Sequence, residues 1–106
     1  MSRRTVARPV QLDSIYTTLR EHRPVLRDRY GVRSLGVFGS WVRGEQTKRS
    51  DIDILVEIDD DALTLFQFVE LREYLRDLLG VRVDLVERNT LKPYIGQRVM
   101  QEVVAI

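Results

Sequence analysis

Apolar positions recur every three to four residues in some stretches of the chain and alternate in twos in others, and the switches between the two periods divide it into elements. Residues 11–30 show the first helical period: Leu12, Ile15, Tyr16, Leu19, Leu26 and Tyr30 share a face, with Arg23 the charged position on it. Pro24 interrupts this stretch without disturbing the face, which predicts a kink rather than two unrelated helices. Gly31 is placed to end the helix in a left-handed conformation. Residues 34–39 predict a short buried strand closing in a turn, residues 40–45 the first turns of a short helix, and residues 46–49 a polar loop. Residues 51–58 form the clearest strand: Ile52, Ile54, Val56 and Ile58 alternate onto one face, and Asp51 and Asp53 share the other. Thr64-Leu65-Phe66-Gln67 has the form of a capping box, with Leu63 and Phe68 spaced as a hydrophobic staple. The helix it opens carries Leu65, Phe68, Val69, Leu71, Leu75, Leu78 and Leu79 and stops at Gly80. Residues 81–87 predict a third strand, with Val81, Val83 and Leu85 inward and Asp84 on the opposite face. Pro93 suits the first turn of a last helix in which Ile95, Val99, Val103 and Ile106 line up.

This order predicts a small α/β (α+β) domain, a mixed sheet packed with helices, spanning residues 11–106 behind a basic N-terminal arm at residues 1–10. Three strands leave a face or an edge partly uncovered, so a partner surface is expected. The 106 residues suffice for one domain, and 43% hydrophobic with 31% charged residues is ordinary for a soluble protein. A net charge of +1 argues against a dedicated nucleic-acid binder, and no DNA binding is expected. The absence of cysteine excludes disulfides and thiolate metal sites and makes the cytoplasm the expected compartment. No apolar run approaches the ~20 residues that cross a membrane. Arg3-Arg4 is not followed by the apolar segment of an export signal. Asp59-Asp60-Asp61 reads as a solvated acidic turn, His22 as an exposed residue of a charged helical stretch, and Tyr16, Tyr30, Tyr74 and Tyr94 as packing residues.

The carboxylates change this bland picture. Along a strand Asp51 and Asp53 point the same way, about 6.5–7 Å apart at the backbone. Two such groups repel unless a counter-charge joins them. A divalent cation is the usual one, and magnesium is typically held by one or two carboxylates together with substrate phosphates. Asp84 is placed to complete the set from a neighbouring strand. Upstream, Gly39 allows a sharp turn and a close backbone approach. Ser40 then starts a short helix whose unpaired N–H groups and hydroxyl suit a phosphate. A phosphate cradle on one strand end and a carboxylate pair on the next together fit a nucleoside triphosphate with Mg2+.

The run Val37-Phe38-Gly39-Ser40-Trp41-Val42-Arg43-Gly44-Glu45, followed by Ser50-Asp51-Ile52-Asp53-Ile54-Leu55-Val56, resembles the signature of the minimal nucleotidyltransferases. These are members of the polymerase-beta-like superfamily, whose pattern is Gly-Ser, ten residues, then Asp-x-Asp. Residues 41–50 supply those ten, and the resemblance runs from about residue 11 to residue 100. It implies the polymerase-beta-like nucleotidyltransferase fold. By position it implies that Gly39 and Ser40 hold the triphosphate, that Asp51, Asp53 and Asp84 form the catalytic, metal-binding triad, and that Asp84 helps deprotonate the attacking hydroxyl. Arg43 is a candidate for the nucleotide site, or a partner of Glu45 or Asp51. Trp41 stands where it can shape the pocket mouth, and Lys48 and Arg49 lie in the loop before Asp51. Larger relatives add a second domain for the acceptor, so here the acceptor is expected from another protein or a second copy of the chain. The resemblance is to the antitoxin of HEPN/MNT toxin–antitoxin modules, which implies transfer of AMP from ATP to a tyrosine of a HEPN-type toxin. The alternatives are a binding antitoxin with a vestigial nucleotide site, and nucleotidyl transfer to a small molecule.

Overall fold

Pro24 does more than kink the first helix. The computed structural model describes residues 11–59 and 63–106, and in it the expected single helix is two, α1 (Leu12–Glu21) and α2 (Arg23–Tyr30). The ladder bends at His22, whose N–H still reaches Thr18 O at 3.1 Å while its carbonyl accepts from Leu26 N at 2.9 Å. Proline is tolerated in the first turn of α2, where it removes no internal hydrogen bond. The bend also corrects the reading of His22. The residue is half-buried, its ring Nδ1 lies 2.8 Å from Thr18 O, and its ring stacks edge-on against Tyr74. The expected arm at residues 1–10, and Asp60 and Asp61 of the expected acidic turn, lie outside the described residues.

After α2, Gly31 takes the left-handed conformation expected of it (φ 70°). The chain continues as β1 (Val32–Phe38), α3 (Ser40–Arg43), β2 (Ile52–Ile58), α4 (Leu65–Leu79), β3 (Val83–Glu87), a single 3-10 turn, α5 (Pro93–Glu102) and β4 (Val104–Ala105). The sheet order is β3-β2-β1-β4. β1 runs antiparallel to β2 and to β4, and β2 runs parallel to β3. A parallel pair needs a crossover, and α4 is that crossover.

One sheet face carries the main core. Ile52, Ile54 and Val56 of β2 are almost fully buried against Ile15 and Leu19 of α1, Leu26 of α2, and Leu71 and Leu75 of α4. Leu65 and Val69, expected on the apolar face of α4, are exposed at 80% and 39%. At 3.6 residues per turn they sit about 80° and 120° around the helix from Leu75, off the buried seam. The capping box is present: Gln67 N–H donates to Thr64 Oγ1 at 3.1 Å and Thr64 N–H donates to Gln67 Oε1 at 2.9 Å. Thr64→Ala is expected to cost ~1 kcal/mol. Thermal melting should show this as a drop of about 4–8 °C, with no change in any activity.

β4 is the element that periodicity misread. The spacing alone places Val103 and Ile106 with Ile95 and Val99 on one helical face. The helix instead stops at Glu102, and Val103 turns extended (φ −62°, ψ 136°). The outer edge of β1 has backbone groups to satisfy, and the β-branched Val103 and Val104 suit an extended backbone there. Gly36 pairs with Ala105 and Val37 with Val104, and Ile106 N–H donates to Leu35 O at 3.0 Å. Among the described residues, no helix is long and apolar enough to cross a membrane.

Candidate active site

Sheet register assembles the site. Phe38, the last residue of β1, pairs with Asp53 of β2, and Asp53 pairs with Asp84 of β3. One rung across three strands therefore carries Phe38, the residue before Gly39-Ser40, and two of the three singled-out carboxylates. Gly39 follows with φ 81° and ψ −155°, a region open essentially to glycine alone. Its Cα lies directly on the Asp53 carboxylate: a Cβ there would overlap Oδ2 and stand 2.9 Å from Cγ. The Gly39 carbonyl accepts from Val42 N and Arg43 N at 3.1 and 3.2 Å, which winds α3. Ser40 is the first residue of that short helix and is half-buried.

The electrostatics of the rung are strained in the sense that favours a cation. Burial first, then the neighbouring Asp84 carboxyl and the charge of Asp51, push the Asp53 carboxyl up to about 6. The charge of Arg43 pulls it back in part. Asp51 is drawn elsewhere. Its Oδ1 lies 2.9 Å from Arg82 Nε in an ion pair, and the same guanidinium donates to the Arg49 carbonyl. The structure thus brings Gly39, Asp53 and Asp84 together and directs Asp51 to an arginine that nothing in the sequence pattern singled out. Among the described residues, no group of three or more His, Cys, Asp or Glu side chains stands ready to hold a metal ion.

Arg43 takes carboxylate partners on both sides. Nε donates to Glu45 Oε1 at 2.9 Å and Nη1 to Glu102 Oε1 at 2.5 Å. These bonds, Glu45's first, hold the guanidinium protonated well above its ordinary range. Of the partners left open by the sequence, Glu45 is realised and Asp51 is not. Glu102 was missed altogether. Its second oxygen accepts from the Gly39 N–H at 2.7 Å. The bond to Arg43 and then the bond from Gly39 lower the Glu102 carboxyl below its usual range. Sequence spacing gives no access to a contact between residues 63 apart. The one hint was an acidic side chain in the last turn of a helix, where it opposes the helix dipole.

Trp41 is buried at 7% exposure and belongs to the core. It also lines a cleft of about 640 Å³ with Gln46, Thr47, Lys48, Ser50 and Arg82, so Lys48 faces that cleft and Trp41 forms part of its wall. Tyr30 is buried, and Tyr16 and Tyr74 are packed against the core as expected. Tyr94 is not a packing residue, being 64% exposed on α5.

Three comparisons bear on this arrangement. The family model described as a nucleotidyltransferase domain matches residues 19–106. The protein adenylyltransferase MntA of Thermococcus cleftensis is 50% identical over 95 residues, covering 90% of this chain and 95% of its own length. Among solved structures, one described as a candidate minimal nucleotidyltransferase superposes with a TM-score of 0.76 at 35% identity, covering 91% of this chain and 96% of that one. A chain from the complex of a tri-AMPylated HEPN toxin with its MNT antitoxin, from Shewanella oneidensis, superposes with a TM-score of 0.55 at 26% identity, covering 88% and 66%.

Proposed function

The chain belongs to the nucleotidyltransferase domain family, and from that membership we propose that it moves AMP from ATP onto a tyrosine hydroxyl of a HEPN-type toxin and so acts as an antitoxin. It is a nucleotidyltransferase of the polymerase-beta-like fold. The observation that carries the finer reading is the packing of the Gly39 turn onto Asp53, with Asp84 opposite. It sets a candidate phosphate-binding turn against a pair of carboxylates that the charge of Arg43 offsets only in part. The nature of the acceptor is supported by relatives: one is named a protein adenylyltransferase, and another is solved with an AMPylated HEPN toxin.

The donor set fits magnesium. It is all oxygen, and the Asp53 carboxyl, raised by burial and by the facing Asp84, supports a site that a cation would relieve. Asp53 and Asp84 would hold the ion, with Asp51 joining once it exchanges Arg82 for it. Bound there, magnesium would neutralise phosphate charge and lower the pKa of the acceptor hydroxyl. The remaining work falls to the chain. Gly39 and Ser40 hold the triphosphate, and Arg43, whose charge is felt at Asp53, adds positive potential beside it. Asp84 accepts the proton of the attacking hydroxyl. As the new oxygen–phosphorus bond forms at the α-phosphate, the bond to the bridging oxygen breaks in line and pyrophosphate leaves. Reactions of this type depend mostly on positioning and charge.

The test is direct. The protein is incubated with Mg·ATP and the product of the adjacent gene, and intact-mass spectrometry follows the toxin. The expected result is a gain of whole AMP units that map to tyrosine. A tight complex without any mass gain would instead make the chain a stoichiometric binding antitoxin.

A further inference from the structure

Glu102 is an acidic group at the site that the chemistry above does not use. It is the last residue of α5, where a negative charge opposes the helix dipole, so helix stability does not account for it. Both its hydrogen bonds go to the turn, one oxygen to the Gly39 N–H at 2.7 Å and the other to Arg43 at 2.5 Å. The Gly39 N–H needs such a partner. Gly39 is buried, β1 pairs with β2 only as far as Phe38, and β4 reaches only to Val37.

The mount of Glu102 is closely packed. Gly36 has no side chain, and a Cβ there would meet Val103 Cγ2 at 2.5 Å and Val104 O at 3.0 Å. That gap lets the C-terminal segment lie against β1. Glu102 is thereby held between the end of a helix and the start of a paired strand, with its side chain only 25% exposed. Arg43, clasped between Glu45 and Glu102, is fixed with it.

We propose that Glu102 is a positioning residue: by bridging the Gly39 N–H and Arg43 it fixes the Gly39-Ser40 turn and the guanidinium in the arrangement that receives the nucleotide's phosphates. This rests on the nucleotidyltransferase reading above. It assigns the two-residue strand β4, which carries no chemistry of its own, the task of anchoring Glu102.

Glu102→Ala and Glu102→Gln in the full chain test it, at a temperature where melting curves show both variants folded. The chain's single tryptophan, Trp41, follows Ser40 directly and serves as the fluorescence probe, with calorimetry as an independent measure of binding. The probe is an ATP analogue with a methylene bridge between the α- and β-phosphates, which cannot transfer AMP. Glu102→Ala is expected to weaken analogue binding and lower kcat/KM by about 10–100-fold, the range found for groups that orient a site from behind. Glu102→Gln keeps an acceptor for the Gly39 N–H and should recover part of that loss. A merely structural role would lower the melting temperature and leave the dissociation constant of the folded protein unchanged, which would overturn the proposal. Tighter analogue binding by Glu102→Ala would also overturn it, because the carboxylate would then be competing with phosphate. Failure of the wild type to bind or transfer at all would overturn the functional reading and this inference together. An active wild type with indifferent Glu102 variants would overturn this inference alone.

Discussion

Replacing Asp53 by Asn is expected to lower kcat/KM for AMP transfer by about 10³-fold and, in the same molecule, to raise the melting temperature at neutral pH. The two effects have one cause. Asn keeps the shape of Asp, so the packing against Gly39 survives while the charge is lost. Loss of a preorganised electrostatic group typically costs 10²–10³ in rate, and Asp53 would be at once a metal ligand and a neighbour of the phosphate turn. The stability gain follows from the direction of its titration. Its folded carboxyl sits at about 6, above the ordinary aspartate value of 3.8, chiefly because it is buried and faces Asp84. Such a group lends stability that is fully present below its unfolded pKa and is lost as pH rises through its folded pKa. Metal-free wild type should therefore melt progressively lower between about pH 4 and pH 7, and Asp53→Asn should lack that component. Glu102, whose carboxyl is lowered, contributes with the opposite sign as pH falls, so the difference between the two proteins isolates Asp53. Thermal melts in a chelator across this window, repeated with excess Mg2+, check the point: the cation should raise the wild-type curve and leave the variant's unmoved. Normal turnover by Asp53→Asn would end the metal assignment. A wild-type curve parallel to the variant's would mean that the rung is not electrostatically strained.

What could be read in advance follows how local each signal is. β2 and α4 were legible because their partners are chemical classes rather than particular residues: a strand of alternating Ile and Val finds any apolar layer, and Thr64 and Gln67 cap a helix without outside help. The Gly39–Asp53 contact was legible at one remove, because the motif's fixed spacing encodes a strand, a turn, a return loop and a second strand in register. β4 was not legible. Two residues are too few to show a period, and the flanking Val103 and Ile106 satisfy a helical face with Ile95 and Val99. Only the unpaired edge of β1 decides between the two. Glu102 inherits that difficulty, since its position depends on where α5 stops. The Arg82–Asp51 pair was hidden for a different reason. It joins two strand starts through an exposed arginine and a half-exposed aspartate, and in a chain with 17 Lys and Arg residues the sequence does not single out which cation Asp51 meets.

Gly39→Ala is expected to be the most damaging single-methyl change in the chain. Two penalties add. The backbone at φ 81° and ψ −155° excludes other residues at a cost of roughly 1–3 kcal/mol. The new methyl would also overlap Asp53 Oδ2 and crowd Cγ at 2.9 Å and Cβ at 3.3 Å. Relief requires the Asp53 side chain or the whole turn to move, and either motion separates the phosphate cradle from the carboxylates. Transfer should fall by at least ~10²-fold, since misplacement of about 1 Å costs that much, and the melting temperature should fall by several degrees for each kcal/mol. Gly44→Ala is the control. Gly44 also has a positive φ, 73°, but nothing lies within 4 Å of its Cβ position, so only the backbone penalty of roughly 1–2 kcal/mol applies and activity should persist. A double-mutant cycle then separates strain from overlap. In an Asp53→Ala background the overlapping oxygen is gone, so Gly39→Ala should cost less than it does in wild type, and the shortfall measures the overlap. Equal costs in the two backgrounds would mean that the carboxylate does not rest on Gly39. The turn and the metal ligands would then be separate features rather than one site.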